Sequence, residues 1–298
     1  VKNRIGTDSL YGEAFKACYP LNCNYKIALK KIPLSDYEIT TLSNREDSKA
    51  LNTSPVWAEI FQTRLVNLLV KQNICPSFPM VSGLYYCNNC KYENTNLKKS
   101  KTSCLILPNE LADGDLKSLL LSGDGNLVKK IPSIYFQIYV AIYCIQKYFN
   151  MQHNDLHWGN ILYHKIPKGG YIKYIIGDKE IVIKNTGYLM VLWDFGFSTI
   201  KDKIQPKRTL YFNNFQDISR ITDMLDGFYN KTMECFKDII SKNIYLNTNV
   251  IDFLFDISED KTLYISYNNI SPSEIIATYD TNKKLVNVPE NMKEYVVN

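Results

Sequence analysis

Polar and apolar positions alternate with a strand-like period through much of the first hundred residues. "YKIALKKIPL" (25–34) reads as a half-buried strand, and "NRIGTDSLYGEAFKACY" (3–19) sets turn residues between apolar runs. The polar stretch "SNREDSKALNTS" (43–54) predicts a loop. Ser54-Pro55 then predicts a helix start, Ser as cap and Pro at the first helical position. The helix that follows, "PVWAEIFQTRLVNLLVKQN", carries Trp57, Phe61, Leu65 and Leu68 on one stripe and ends before Pro76. "SGLYYC" and "SCLILPNEL" predict two strands joined by a Lys/Asn-rich hairpin over 88–102.

The period changes near Asp115. Ile134, Ile138, Ile142, Ile145 and Phe149 recur at helical spacing over 132–151. Four short β-like runs come next: "ILYH", "YIKYII", "EIVIK" and "YLMVLWDF". The chain from about 215 reads as mostly helical, with a β-prone patch at "TLYISY". No internal repeat is visible. A strand-rich front and a helix-rich back predict an α+β fold of two lobes with a cleft between them.

Composition adds modest limits. The net charge of +5 fits an acidic partner without requiring one. No apolar run reaches the roughly 18 residues of a membrane span, and no signal-peptide pattern is present, so an intracellular protein without membrane attachment is expected. Nucleic acid is not indicated, and a monomer is expected. Eight cysteines without a framework spacing predict free thiols in a reducing compartment. The "CNNC" pair (Cys87, Cys90) lacks a second clear ligand pair and reads as incidental to a β-hairpin rather than as a zinc knuckle, even with Cys75 or Cys104 in reach.

Chemistry concentrates in "HNDLHWGN" (153–160), which holds two of the three histidines. Asp155 and Asn160, five apart on a loop, can face one point. Asp194, in "WDFG", follows an apolar strand and precedes a glycine that permits a sharp turn. Two carboxylates and a carboxamide are hard oxygen donors of the kind Mg²⁺ takes beside phosphate oxygens. One carboxylate remains to accept a proton from an attacking hydroxyl. That set is what phosphoryl transfer needs.

His153-x-Asp155-x-x-x-x-Asn160 followed by Asp194-Phe195-Gly196 resembles the catalytic loop and metal motif of the protein kinase family. Other pieces stand in the matching order. "IGTDSLYGEAFKA" resembles the glycine-rich phosphate loop, with Gly6 and Gly12. "IALK" resembles the strand motif that puts a lysine, here Lys30, on the ATP phosphates. Glu59 is the candidate ion-pair partner of Lys30, with Glu38 and Glu46 as alternatives. "LPNELADGDL" resembles the hinge, so Glu110 and Ala112 would meet the base of ATP and Asp115 its ribose, although Asp115 could equally cap a helix. "HNDLHWGNIL" is closer still to the haspin branch of atypical serine/threonine kinases. "EIFQTRLVNLL", the insertion at 165–188 and "NFQDISRI" without an A-P-E motif agree with that branch. Kinases of large DNA viruses look similar, which extends the expected location to a host cell and virion.

The resemblance implies a lobe boundary between 1–108 and 109–298, ATP with Mg²⁺ (or Mn²⁺) as cofactors, and a protein substrate. It makes Asp155 the group that accepts or orients the substrate hydroxyl proton. Asn160 and Asp194 become the metal ligands, and Asp217 an anchor under the catalytic loop. His157 stands where a catalytic lysine is usual and would reach the γ-phosphate; His153 is structural, and His164 a strand residue. The chain also departs from the pattern. The middle glycine of the phosphate loop is missing, which leaves Asp8 and Tyr11 where backbone would close over phosphate. Asn154 replaces the arginine that grips an activation-loop phosphate, so constitutive activity is expected. "KDKIQPKR" (Lys201, Lys203, Lys207, Arg208) fits an acidic peptide or a phosphate-bearing surface, and equally a solvated loop. Two rivals stay open: a small-molecule phosphotransferase of the choline or aminoglycoside kinase type, and a nucleotide-binding pseudokinase scaffold.

Overall fold

The computed structural model describes residues 3–6, 11–18, 26–93, 103–124, 126–176, 179–201, 204, 217, 220–221 and 293–297. The chain mixes strand and helix, as its two hydrophobic periods require. It opens with β1 (Asn3–Ile5), β2 (Glu13–Cys18) and β3 (Lys26–Pro33), followed by α1 (Asp36–Thr40), α2 (Ser48–Thr53) and α3 (Pro55–Lys71), then β4 (Tyr85–Cys87) and β5 (Cys104–Glu110). These strands form one antiparallel sheet in the order β1-β2-β3-β5-β4.

The stretch expected to be a loop at 43–54 instead contains α2. Its polar residues face outward while Ala50 and Leu51 are buried, so a short helix forms under tertiary packing despite its composition. The start of α3 follows local rules: the Trp57 N–H donates to Ser54 Oγ at 3.3 Å, and Pro55 opens the first turn. Ser54 Oγ also donates to Glu38 Oε1 (2.9 Å), and Glu38 Oε2 accepts from the Ser35 N–H (2.6 Å) at the cap of α1. One buried carboxylate therefore links the starts of two helices.

The buried face of α3 is not the stripe expected from the sequence. Trp57 is buried, but Phe61 and Leu65 are only partly so and Leu68 is exposed. Glu59, Ile60, Gln62, Thr63, Val66 and Asn67 are buried instead. Glu59 and Gln62 face inward toward the site, and Asn67 bonds to Pro79 O and the Val81 N–H, pairings that periodicity of apolar residues cannot reveal.

The rest of the described chain comprises β6 (Gly114–Asp115), α4 (Leu116–Leu120), α5 (Ile131–Phe149), β7 (Met151–Gln152), β8 (Ile161–Lys165), β9 (Tyr171–Ile176), β10 (Lys179–Lys184), β11 (Tyr188–Leu192), β12 (Thr199–Ile200) and β13 (Lys293–Val297). α5 is buried nearly all round, with Ile134, Tyr135, Phe136, Ile138, Tyr139, Ile142 and Ile145 in the core. Gln137 ties it to β11, donating to Tyr188 O (3.1 Å) and accepting from the Met190 N–H (3.0 Å). α5 ends at Asn150 in the left-handed region (φ 48°), where an amide side chain is tolerated. β8 lies between β11 and β6. Within the 165–188 insertion, β9 and β10 form a hairpin, and β13 adds to β9 in parallel.

The cysteines differ from expectation. Cys90 is bonded to Cys104, and Cys18 is also disulfide-bonded. The β4–β5 register sets Cys87 across from Cys104, and the turn after β4 brings Cys90 back to a Cα–Cα distance of 6.0 Å. Cys75, Cys87 and Cys144 are free thiols. Among the described residues no helix is long and apolar enough to cross a membrane. The predicted helices beyond 221, the "TLYISY" patch, Asp8, Lys203, Lys207 and Arg208 lie outside the described residues.

Candidate active site

β3 aims Lys30 at the interior, and α3 presents Glu59 to it. Lys30 Nζ donates to Glu59 Oε1 and, at 3.0 Å, to Asp194 Oδ1. Both Lys30 and Glu59 are buried. Burial opposes the lysine's charge, but Asp194 and Glu59 outweigh it and hold the ammonium well above its ordinary range. At Asp194 burial is likewise overcome by Lys30, and its carboxyl is held low. Glu59 differs: burial pushes its carboxyl up, and Lys30 offsets this only in part. The alternatives for the Lys30 partner are engaged elsewhere, Glu38 in the helix caps and Glu46 with Arg64.

A strand ladder brings Asn160 and Asp194 together. β8 and β11 pair with Ile161 opposite Leu192, so the next residues outward meet, and the Trp193 N–H donates to Asn160 O at 2.9 Å. Asp194 comes next, in the left-handed region (φ 65°). Asn160 Nδ2 donates to Asp155 O (2.9 Å) and Asp155 Oδ2 (3.1 Å). That leaves the Asn160 amide oxygen as its available hard donor. Asp194 keeps its side chain about a third exposed.

The floor of the loop is buried. Asp217 accepts from the His153 N–H (Oδ2, 2.7 Å) and the Asn154 N–H (Oδ1, 2.8 Å). Burial raises the Asp217 carboxyl despite these donors and nearby His153 and Arg220. His153 Nε2 lies 2.8 Å from Trp193 O, while its Nδ1 accepts from the Asp155 N–H at 3.4 Å. A carbonyl can only accept, so Nε2 carries a proton in this contact. Phe195 packs beneath it with ring centroids 4.9 Å apart.

Other candidates have more local roles. His157 is exposed; its Nδ1 accepts from the Gly159 N–H (3.0 Å), and its Nε2 lies 3.9 Å from Asp155 Oδ2. Asp115 caps α4, accepting from the Ser118 N–H at 2.7 Å. Glu110 ends β5 and its carboxylate accepts from the Met80 N–H (3.1 Å); Ala112 follows it, half-buried. Gly6 takes a positive φ of 76°, and a Cβ on Gly12 would lie 2.7 Å from Lys31 O. Both glycines are thus explained by backbone demands. Tyr11 packs edge-on against Phe197, centroids 5.4 Å apart.

Three contributors carried no signal in the hydrophobic pattern. Gln62 Nε2 donates to Ser198 O (2.8 Å). Asn154 Nδ2 donates to Phe197 O and Thr199 Oγ1, both at 3.0 Å. Arg220 NH1 donates to Asn154 O and lies 3.6 Å from Asp155 Oδ1. For Arg220 the i, i+3 spacing from Asp217 was the available clue.

A family model described as the haspin-like kinase domain matches residues 7–277. The chain belongs to the haspin-like kinase family. Similar proteins include a probable serine/threonine-protein kinase, 380R, of Invertebrate iridescent virus 6, 30% identical over 62% of this chain and 34% of its own length. Protein 019R of Frog virus 3 (isolate Goorha), provisionally named a serine/threonine-protein kinase, is 27% identical over 51% of the chain and 18% of its own. A probable serine/threonine-protein kinase of Dictyostelium discoideum is 30% identical over 31% of the chain and 8% of its own. The chain thus matches about a third or less of each relative's length.

Proposed function

We propose that this haspin-like chain is an ATP-dependent kinase that moves the γ-phosphoryl group of Mg-ATP to a serine or threonine hydroxyl of a protein. The observation that carries the reading is the single junction where Lys30 meets Glu59 and Asp194 while Asn160, laddered to the residue before Asp194, holds Asp155. In this reading 1–108 and 109–298 form two lobes around that junction. Lys30 neutralises charge on the phosphates, and Glu59 keeps it aimed. Asp155 takes up or orients the hydroxyl proton, a contribution of about 10²–10⁴-fold. The exposed His157 lies close enough to Asp155 to meet the transferred group.

The donor set suits Mg²⁺, or Mn²⁺ in its place. Mg²⁺ typically takes one or two protein oxygens and completes its shell with phosphates and water. The Asp194 carboxylate and the Asn160 amide oxygen are donors of that kind. The cation would offset negative charge on the phosphates. A viral protein acting inside a host cell, on an acidic protein substrate, completes the proposal; Lys201 is exposed after β12.

The test is transfer of label from γ-labelled ATP to casein and to a serine/threonine peptide array, beside choline and an aminoglycoside. Label on protein, lost in Asp155→Ala, is the expected result. Label on the small alcohols alone would make the chain a small-molecule phosphotransferase. Nucleotide binding without any turnover would make it a scaffold.

A further inference from the structure

We propose that Arg220 is a positioning residue that acts with Asp217 as a clamp of two signs, holding Asn154 and aiming Asp155. This rests on the kinase reading only in taking Asp155 as the group facing the substrate hydroxyl. Asn154 sits in the left-handed region (φ 64°), a conformation that neighbouring bonds must hold. Both of its backbone polar groups turn to Asp217 and Arg220, each in helical conformation. Its N–H donates to Asp217 Oδ1 (2.8 Å), and its carbonyl accepts from Arg220 NH1. A carboxylate can only accept and a guanidinium can only donate, so the two side chains three residues apart serve opposite needs of one residue.

The same NH1 lies 3.6 Å from Asp155 Oδ1, while Oδ2 accepts from Asn160 Nδ2 at 3.1 Å. The two carboxylate oxygens are thereby approached from two sides, which fixes the plane of the group. Among the described residues, His157 is the other cation-capable side chain near it, 3.9 Å away. A partly exposed ion pair contributes little to stability. Its value here is geometric, and a displacement on the order of 1 Å at a reacting group can cost about 10²-fold in rate. The guanidinium is partly exposed, so a small cation in solution can reach the place it occupies.

The experiment compares the full chain with Arg220→Ala and Arg220→Lys. Readouts are kcat and ATP KM with labelled ATP and casein, Tm, and amide hydrogen exchange of residues 151–160. Arg220→Ala is expected to lower kcat roughly 10–100-fold with ATP KM and Tm little changed, and to speed exchange at 153–155. Arg220→Lys, and sub-denaturing guanidinium added to Arg220→Ala, should each restore part of kcat. Unchanged kcat, or a kcat that falls only as Tm falls and that guanidinium does not restore, overturns the proposal. A wild-type chain with no transfer to any acceptor refutes the kinase reading instead. In that case faster exchange at 153–155 in Arg220→Ala supports the clamp, and unchanged exchange overturns it.

Discussion

Lys30 stands between two carboxylates that respond to acid in opposite ways. Burial sets the Glu59 carboxyl above its ordinary 4.5, and Lys30 holds that of Asp194 below 3.8. Glu59 therefore takes up its proton at higher pH in the folded chain than in the unfolded one. Falling pH through that window adds stability while it removes the partner of Lys30. Below the ordinary carboxylate range the sign reverses, because the unfolded chain binds a proton that Asp194 resists. We expect kcat/KM to fall on acidification before Tm does, and Glu59→Gln to be slow at every pH without that acid limb. Parallel pH profiles of both quantities check this, and a joint decline would contradict it. Asn154 gives a second expectation. Alanine there loses both side-chain bonds and adds left-handed strain, whereas glycine loses only the bonds. Asn154→Ala should be less stable than Asn154→Gly by about 1–2 kcal/mol in chemical denaturation.

Helix starts and the β4–β5 hairpin carry separable stability. Ser54→Ala removes the α3 cap, worth about 1 kcal/mol, and takes a donor from buried Glu38, so the measured loss should exceed the cap alone. The Cys90–Cys104 bond closes a loop of sequence separation 14. Its removal in Cys90→Ala should cost about 3 kcal/mol, and a thiol reductant, which also reaches the separate disulfide of Cys18, should lower the wild-type Tm more than that of the variant. Thermal shift with and without reductant decides the matter; equal shifts in both would mean that the bond is absent in solution.

Across the molecule, the segment after Asp194 is tied down by neutral hydrogen bonds. Gln62 holds Ser198 O, Asn154 holds Phe197 O and Thr199, and Ser198 Oγ donates to His153 O at 3.2 Å. None of these bonds needs a phosphate, and position 154 has no arginine to bind one. Activity is therefore expected without phosphorylation of the activation segment. Phosphatase treatment, verified by mass spectrometry, should leave the initial rate unchanged; a rate that collapses and returns on rephosphorylation would reverse this view.

Much of this was written along the chain. The alternation through β2 and β3, the Ser54-Pro55 start of α3, the Ile-rich face of α5 and the spacing of Asp155, Asn160 and Asp194 are local patterns, and local patterns survive without a fold. What they could not convey is who meets whom. The inward face of α3 is polar because Lys30 and Ser198, distant in sequence, supply its partners. Cys90 finds Cys104 only once β4 and β5 are in register. Arg220 reaches Asp155 across more than sixty residues, and its spacing from Asp217 hints at a shared face but not at this partner. Hydrophobic periodicity encodes which side of an element avoids water, whereas a buried polar contact depends on two surfaces arriving together. Folding alone brings them there.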